Sequence, residues 1–370
     1  MHPAPEFLVV ALSGRTLAAA AARARRRVAV IDLFGDIDTQ RLAAPVLRVA
    51  GDPARGFDPD ALVAAAARFP GLKLIPGAGF EHDPALLRRI ARGRRLLGTP
   101  PATIGRIKDP LAFARLLARL GVPHPETRLG RPAELRGWVA RKTGAAGGTH
   151  VQPAPRAAPG PTTYYQRFVA GSAVAAAFVA DGRRARVIDL SMQWAAPTRR
   201  TPHRYGGAAA PAAIPPAIAA HLVDAAETAA GASGAVGLGS ADFLVDEDGG
   251  FVLLEINPRP GATLDLLDRH QPPSAQTAFA LHLAACNGRL PAARRFDLGP
   301  ATAARIVYAE HRAVVSPRMR WPAATADRSP PGTRFRRGDP VCTVIARGAT
   351  ALRARAASAR KALAVLARLD

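Results

Sequence analysis

The sequence predicts an α/β protein with a doubly wound N-terminal lobe, an α+β middle region and a small α+β C-terminal extension. Three observations carry this. Short, continuous apolar runs alternate with helical stretches near the N-terminus, as in a parallel sheet covered on both faces. Longer strand-like runs joined by Asp-Gly turns fill the middle. The last seventy residues hold two apolar runs and one long helical stretch. At 370 residues the chain is too long for one compact core, and with 48% hydrophobic residues it is too apolar to be disordered throughout.

The elements follow in order. Phe7–Leu12 reads as a strand closed by Ser13-Gly14-Arg15, then an alanine-rich helix, then the strand Val28–Asp32. Leu47–Val49 and Leu72–Pro76 supply further strands, with helices over Pro59–Arg68 and Pro84–Arg92. Asp109–Leu120 is an amphipathic helix stopped by Gly121-Val122-Pro123. Trp138–Lys142 is strand-like, and Pro153–Pro161 has the composition of a mobile loop. Tyr164–Val169 and Ala173–Ala180 are strands, the second turning at Asp181-Gly182, and Ala217–Ala230 is helical. Arg305–Tyr308 and Val341–Ala346 are strands, and Ala349–Leu369 is a long helix. The expected parts are 1–103, 104–170, 171–300 and 301–370.

The formal charge is +23, from 51 basic and 28 acidic residues. Such a balance suggests nucleic acid as partner, but the arginine clusters at 23–27, 88–95 and 334–337 are scattered and aromatic residues make up only 5%. No stacking platform is visible, and no specific nucleic-acid partner is expected. Lysine stands at only four positions, 73, 108, 142 and 361, so arginine has taken its place almost everywhere else. Cys286 and Cys342 are too few for a disulfide framework, which points to a reducing cytoplasm. No run of eighteen apolar residues marks a membrane span. The N-terminus opens on Glu6 with a short apolar run and reads as mature protein rather than as a leader.

The strongest chemical signal is Gly239–Arg259, two strand-like runs flanking Asp248-Gly249-Gly250. Alternation along the second strand puts Glu255 and Asn257 on one face, and Asp242 on the first can share it. Two carboxylates and an amide oxygen on rigid strands make a hard-oxygen site suited to Mg²⁺. Leu253, Leu254 and Ile256 argue that Glu255 is buried, where a bare carboxylate is costly and a cation is expected. Arg259 follows as a fixed cation where phosphate charge would develop. Upstream, Lys142 precedes the run Thr143–Gly148, whose glycines, Gly147 and Gly148 among them, can turn backbone N–H groups onto an anion. It is not a Walker loop, because the lysine comes before the glycines.

Lys108, the Lys142 loop, Gln166–Gly171 and the Asp242…Glu255–Arg259 hairpin together resemble, in order and spacing, the ATP-grasp superfamily. The resemblance implies an ATP-grasp fold with a Rossmann-like lobe before it and an α+β extension after it. It implies that Lys108 and Lys142 contact ATP phosphates and that Gln166, Arg167, Phe168 and Val169 form the hinge that meets adenine. It further implies that Asp242, Glu255 and Asn257 hold two Mg²⁺ ions, with Mn²⁺ as an expected substitute, and that Arg259 lies near the transferred phosphate. The sequence departs from the pattern at Gly171-Ser172-Ala173, which lacks a ribose-holding acid. It departs again at Ser240, where ligases of the D-alanine–D-alanine type carry arginine.

The expected reaction is phosphoryl transfer to a carboxylate, followed by attack of an amine on the acyl phosphate. His203 is the candidate base among nine histidines, and His150 reads as a lid residue. Asp32–Thr39, Gly77–Glu81, Ser191–Trp194 and Tyr205–Gly207 resemble ATP-grasp proteins of C1-cofactor pathways, the tyramine–glutamate ligase of methanofuran-type biosynthesis among them. That implies glutamate and an aromatic amine as substrates. Asp36 and Glu81 either receive an ammonium group or cap helices. The motifs at 327–333 and 338–342 resemble biotin-carboxylase-like and purine-pathway members, which keeps carboxyphosphate chemistry as the alternative. A homodimer is the expected assembly.

Overall fold

The computed structural model describes residues 4–268, 276–292 and 299–369. The N-terminal lobe runs β1 (Phe7–Val10), α1 (Arg15–Arg23), β2 (Val28–Asp32), α2 (Ile37–Leu42), β3 (Val46–Arg48), a hairpin of β4 (Gly51–Asp52) and β5 (Gly56–Phe57), α3 (Pro59–Ala67), β6 (Lys73–Pro76) and α4 (Pro84–Ala91). Its main sheet is parallel, in the order β3-β2-β1-β6. β1 and β2 are wholly buried, as unbroken Val/Ile/Leu runs covered by helices on both faces must be.

The middle region opens with α5 (Pro101–Lys108) and α6 (Pro110–Arg119), the latter capped by Asp109 on the Ala112 N–H. A small antiparallel sheet follows, made of β7 (Thr127–Arg128), β8 (Trp138–Lys142), β9 (Gln152–Pro153) and β10 (Thr163–Arg167) in the order β7-β10-β8-β9. Next come β11 (Ser172–Asp181), β12 (Ala185–Ala195), β13 (Tyr205–Ala210), α7 (Pro216–Ser233), β14 (Val236–Val245), β15 (Phe251–Asn257) and α8 (Ala278–Ala285). The C-terminal part adds β16 (Ala301–Tyr308), a pair of β17 (Ala313–Val314) with β19 (Arg334–Phe335), β18 (Thr325–Ala326), β20 (Pro340–Gly348) and α9 (Ala351–Leu366). Its strands extend the middle sheet, since β16 pairs with β13. The result is eight strands in the order β15-β14-β11-β12-β13-β16-β20-β18.

Period-two alternation explains how that sheet is covered. Along β11, Val174, Ala176, Phe178 and Ala180 pack into one core with Leu222, Ala226 and Ala229 of α7. Ala177 and Val179 face the other way, toward Phe279 of α8 and toward Phe7, Val9 and Leu17 of the N-terminal lobe. The lobes are also tied by charge. Arg15 is 4% exposed and clamps Asp265 through Nη1 and Nη2, while its Nε donates to Asp327 at 2.9 Å. Arg328 pairs with Asp38, and its carbonyl accepts from the Ile37 N–H at 2.9 Å.

Among the elements that the sequence does not announce, β13 and α5 have clear physical reasons. β13, with the sequence Tyr-Gly-Gly-Ala-Ala-Ala, carries no β-branched residue and holds as a strand through its neighbours. α5 hides behind two prolines and Gly105, although it buries Thr103, Ile104 and Ile107. Within Pro153–Pro161, read as a loop, Ala154 is fully buried in a 3-10 turn over Ala154–Arg156 beside Trp138 and Tyr165.

Candidate active site

The site is built on the hairpin of β14 and β15, at the edge of the large sheet. Asp242 stands opposite Glu255 and Ser240 opposite Asn257. Asp246 closes the turn, its Oδ1 accepting from the Gly250 N–H at 2.7 Å. Asn257 Nδ2 donates to Asp242 Oδ2 at 2.9 Å, so two of the three proposed ligand residues are hydrogen-bonded to each other. Lys108, at the C-terminal end of α5, donates from Nζ to Asn257 Oδ1 at 2.9 Å and lies 3.5 Å from Glu255 Oε2. Burial works against ionising Glu255, but Lys108 and Arg141 outweigh it and hold the carboxyl well below its usual range. Burial and the neighbouring Glu255 push Asp242 the other way, upward.

Asp242 Oδ1 is buried and has no hydrogen-bond partner. Such an oxygen is costly unless a donor or cation meets it. Among the described residues no three His, Cys, Asp or Glu side chains cluster as a metal set, so the third donor here has to be the Asn257 amide. Two carboxylates, one of them with the orphaned oxygen, and an amide oxygen fit a hard divalent cation.

Cations surround this acidic centre. Arg259 stands two residues past β15 and donates from Nε to Glu81 Oε1 at 2.6 Å. The second oxygen of Glu81 accepts the N–H groups of Gly79 at 2.8 Å and Phe80 at 3.0 Å. Burial would raise its pKa, yet Arg259 and Lys108 bring it down to about 2. Glu81 is thus spent on Arg259, and Asp83 caps α4. Asp36 caps α2 through the Thr39 N–H and hydroxyl.

The small sheet forms the other wall. Tyr164 stands opposite Arg141 and Gln166 opposite Val139, so these four share one face, turned toward Glu255. Arg141 is 6% exposed; its Nη1 donates to Gln166 Oε1 at 2.8 Å and its Nη2 lies 3.3 Å from Glu255 Oε2. Lys142, one residue on, is exposed and borders the cleft between the two walls, together with Gly144, Leu254 and the apolar side chains Phe113 and Leu117 of α6. In the segment 166–169, Gln166 is buried, whereas Phe168 is 51% exposed. The N–H groups of Arg167 and Phe168 donate to the Glu126 and Gly137 carbonyls at 2.9 and 2.8 Å.

The glycine-rich loop is docked against the chain. Gly144 has φ +72°, and a Cβ there would lie 2.4 Å from the Glu81 carbonyl oxygen. Gly148 shares that φ, and its Cβ would lie 2.0 Å from the His203 carbonyl oxygen. The Tyr205 N–H donates to Gly147 O at 2.9 Å. The loop therefore bridges the N-terminal lobe and the start of β13, and only glycine allows both approaches. The His203 side chain is exposed; burial, then Arg141, lowers its pKa. His150 is more enclosed and lies within the field of Arg141, Glu255 and Lys108.

Arg141 and the Glu81–Arg259 pairing are not evident from the linear sequence. A signal for Arg141 does exist, because strand alternation allows either Arg141 or Lys142, not both, to face the site. For Glu81 there is none, since its partner lies 178 residues away.

Residues 107–263 match a family model described as an ATP-grasp domain. No curated protein sequence matches the chain. Among solved structures, the chain is similar to the biotin carboxylase of Campylobacter jejuni in its β-γ-ATP complex (TM-score 0.72, 14% identity, 98% of this chain and 91% of that one). It is also similar to the carboxyaminoimidazole ribonucleotide synthase of Aspergillus clavatus complexed with ATP (0.68, 16%, 99% of each). A third is the biotin carboxylase domain dimer of Hydrogenobacter thermophilus 2-oxoglutarate carboxylase with MgADP and bicarbonate (0.72, 12%, 98% and 90%). With the acidic hairpin and its ring of cations at the cleft, residues 107–263 are similar to an ATP-grasp domain, and the chain as a whole has an ATP-grasp fold.

Proposed function

We propose that the protein is an ATP-dependent ligase that activates a carboxylate as an acyl phosphate and joins it to an amine, releasing ADP and phosphate. The observation that carries this reading is the buried, unpartnered Asp242 Oδ1 beside Glu255 and Asn257, ringed by Lys108, Arg141 and Arg259. Asp242, Glu255 and Asn257 would hold Mg²⁺, two ions by the resemblance, with Mn²⁺ able to replace it; bound there, the metal neutralises phosphate charge. Lys108 and Arg141, with Lys142 at the mouth, orient the triphosphate, and the segment 166–169 receives the base. Arg259, fixed by Glu81, meets charge on the transferred phosphoryl group. The docked glycine loop keeps water from the acyl phosphate.

For substrates, the resemblance of 32–39, 77–81, 191–194 and 205–207 to ATP-grasp proteins of C1-cofactor pathways points to glutamate and an aromatic amine, with Asp36 and Glu81 engaged by Thr39 and Arg259 rather than free for an ammonium group. The low cysteine content supports a cytoplasmic setting. The four-part division of the chain and a homodimeric assembly belong to the same reading. Amine-dependent ADP formation from Mg-ATP with an amino-acid panel tests it: product is expected with wild type and lost in Glu255→Ala. ADP formation stimulated by bicarbonate but by no amino acid would overturn it. That outcome would favour carboxyphosphate chemistry, a second reading that draws on the full-length likeness to carboxylases.

A further inference from the structure

A second group of cations lies on the face of the large sheet that α9 covers. It is the reverse of the face carrying Asp242, because Asp242 pairs with Ala175, Ala175 with Ser191, and Trp194 stands three residues further along β12. In one row across the strands, Trp194 is opposite Gly207 of β13, and Gly207 is opposite Arg305 of β16. A Cβ on Gly207 would lie 2.4 Å from Trp194 Cζ2, so only glycine lets the arginine reach the indole. Arg305 Cζ lies 5.1 Å from the ring centre, and Arg355 Cζ, from α9, 4.7 Å. Arg305 Nε donates to Ser358 Oγ at 3.1 Å, and that hydroxyl donates to the Arg355 carbonyl at 2.7 Å. Two guanidiniums thus share one indole, and among the described residues no carboxylate pairs with either. Residues 349–369 hold no acid at all, and 301–370 hold fourteen Arg and Lys against four Asp and Glu. Burial, then Arg355, lowers the pKa of Arg305, as like charges side by side do. The Trp194 N–H is also buried without an acceptor. One cation over an indole is favourable, whereas a second adds repulsion. A ligand that brings negative charge and acceptor oxygens balances the pair.

We propose that Arg305 and Arg355 form a binding site for a phosphate group, separate from the catalytic cleft. The two planar forks come from different elements and offer more N–H groups than a single carboxylate can accept. A phosphate group supplies a third acceptor oxygen and a second charge. Ser358 holds Nε of Arg305 and leaves both Nη groups for the ligand, while Trp194 supports both guanidiniums. Arg355 is exposed and Arg305 half-buried, so solvent reaches the pair. Free phosphate and a phosphate monoester share this chemistry. The site lies on its own face of the sheet and stands whether or not the ligase reading holds.

Titration of the full-length protein with inorganic phosphate, glycerol 2-phosphate and succinate, followed by tryptophan fluorescence, tests the site. Phosphate is expected to bind with a Kd below about 1 mM, and the signal to be lost in Trp194→Phe. Arg355→Met and Arg305→Lys, the second keeping the charge without the fork, should each weaken binding at least about tenfold. In phosphate-free buffer Arg355→Met should melt no lower than wild type, because a like charge has gone. Added phosphate should then raise the melting temperature of wild type more than that of the variant. Tighter binding of glycerol 2-phosphate than of phosphate assigns the site to an ester, and the reverse order to the free ion. Equal phosphate affinity in wild type and both arginine variants would place the anion at the catalytic cations and overturn the proposal. Succinate binding as tightly as phosphate would overturn it too. So would a clear loss of melting temperature in phosphate-free Arg355→Met, which would make the pair a support for the fold.

Discussion

Arg259 reaches back from the end of β15 to Glu81, its Nε 2.6 Å from Oε1, and so joins the acidic hairpin to the loop after the last strand of the N-terminal sheet. Glu81 is buried and Arg259 largely enclosed. The carboxylate is held at about 2 against a usual 4.5. Its ionised form therefore stabilises the fold above the unfolded value near 4.5, and this contribution disappears as the pH falls toward 2. Glu81→Gln is expected to cost about 3 kcal/mol at pH 7 by leaving a buried guanidinium unpaired. It should also flatten the acid limb of a urea-stability profile between pH 4.5 and 2. An unchanged acid limb would remove Glu81 as the partner of Arg259.

Asp242 makes the opposite case, because it is a buried carboxylate with an open oxygen. Asp242→Asn should abolish Mg-dependent ATP turnover, yet leave the metal-free protein melting no lower than wild type, since the variant buries no charge. Calorimetry with and without Mg-ATP measures both. A large loss of stability in the metal-free variant would mean that Asp242 serves the fold rather than a cation.

Arg141 and Lys142 are neighbours in sequence on opposite faces of one strand. Arg141→Ala leaves Gln166 and one side of Glu255 without their cation, and the KM for ATP is expected to rise at least about tenfold. Lys142→Arg keeps a charge at the rim, where a planar fork replaces a compact ammonium, and should change the KM less. Steady-state kinetics on the two variants ranks them; a larger effect at Lys142 would make the rim lysine the principal phosphate contact.

Gly148→Ala places a methyl group 2.0 Å from the His203 carbonyl oxygen, at a backbone φ of +72°. The loop cannot dock with it, and kcat should fall while the melting temperature barely moves, because the loop lies at the surface. Normal turnover would mean that catalysis does not need the docked loop.

Arg15→Ala strands the enclosed carboxylate of Asp265 and the half-buried one of Asp327, contributed by the middle region and the extension. Urea denaturation is expected to show a loss of about 3–5 kcal/mol. A loss below about 1 kcal/mol would mark this junction as solvated.

Much of the architecture is legible from local pattern. β1 and β2 announce a covered parallel sheet because nothing in them is polar before Asp32. The hairpin of β14 and β15 is legible because an Asp-Gly-Gly turn pins two strands whose alternation brings Asp242, Glu255 and Asn257 together. β13 is not, since its stability comes from β12 and β16 rather than from its own residues.

By itself, the sequence determined the fold class and the acidic hairpin, because each depends on a short-range period or an ordered set of motifs. The tertiary structure alone decided that Arg141 rather than Lys142 faces Glu255, that Glu81 belongs to Arg259, and that His150 rather than His203 is enclosed. These choices turn on which face a strand buries and on contacts between lobes more than a hundred residues apart. Packing the whole chain selects them, and no local propensity encodes that selection.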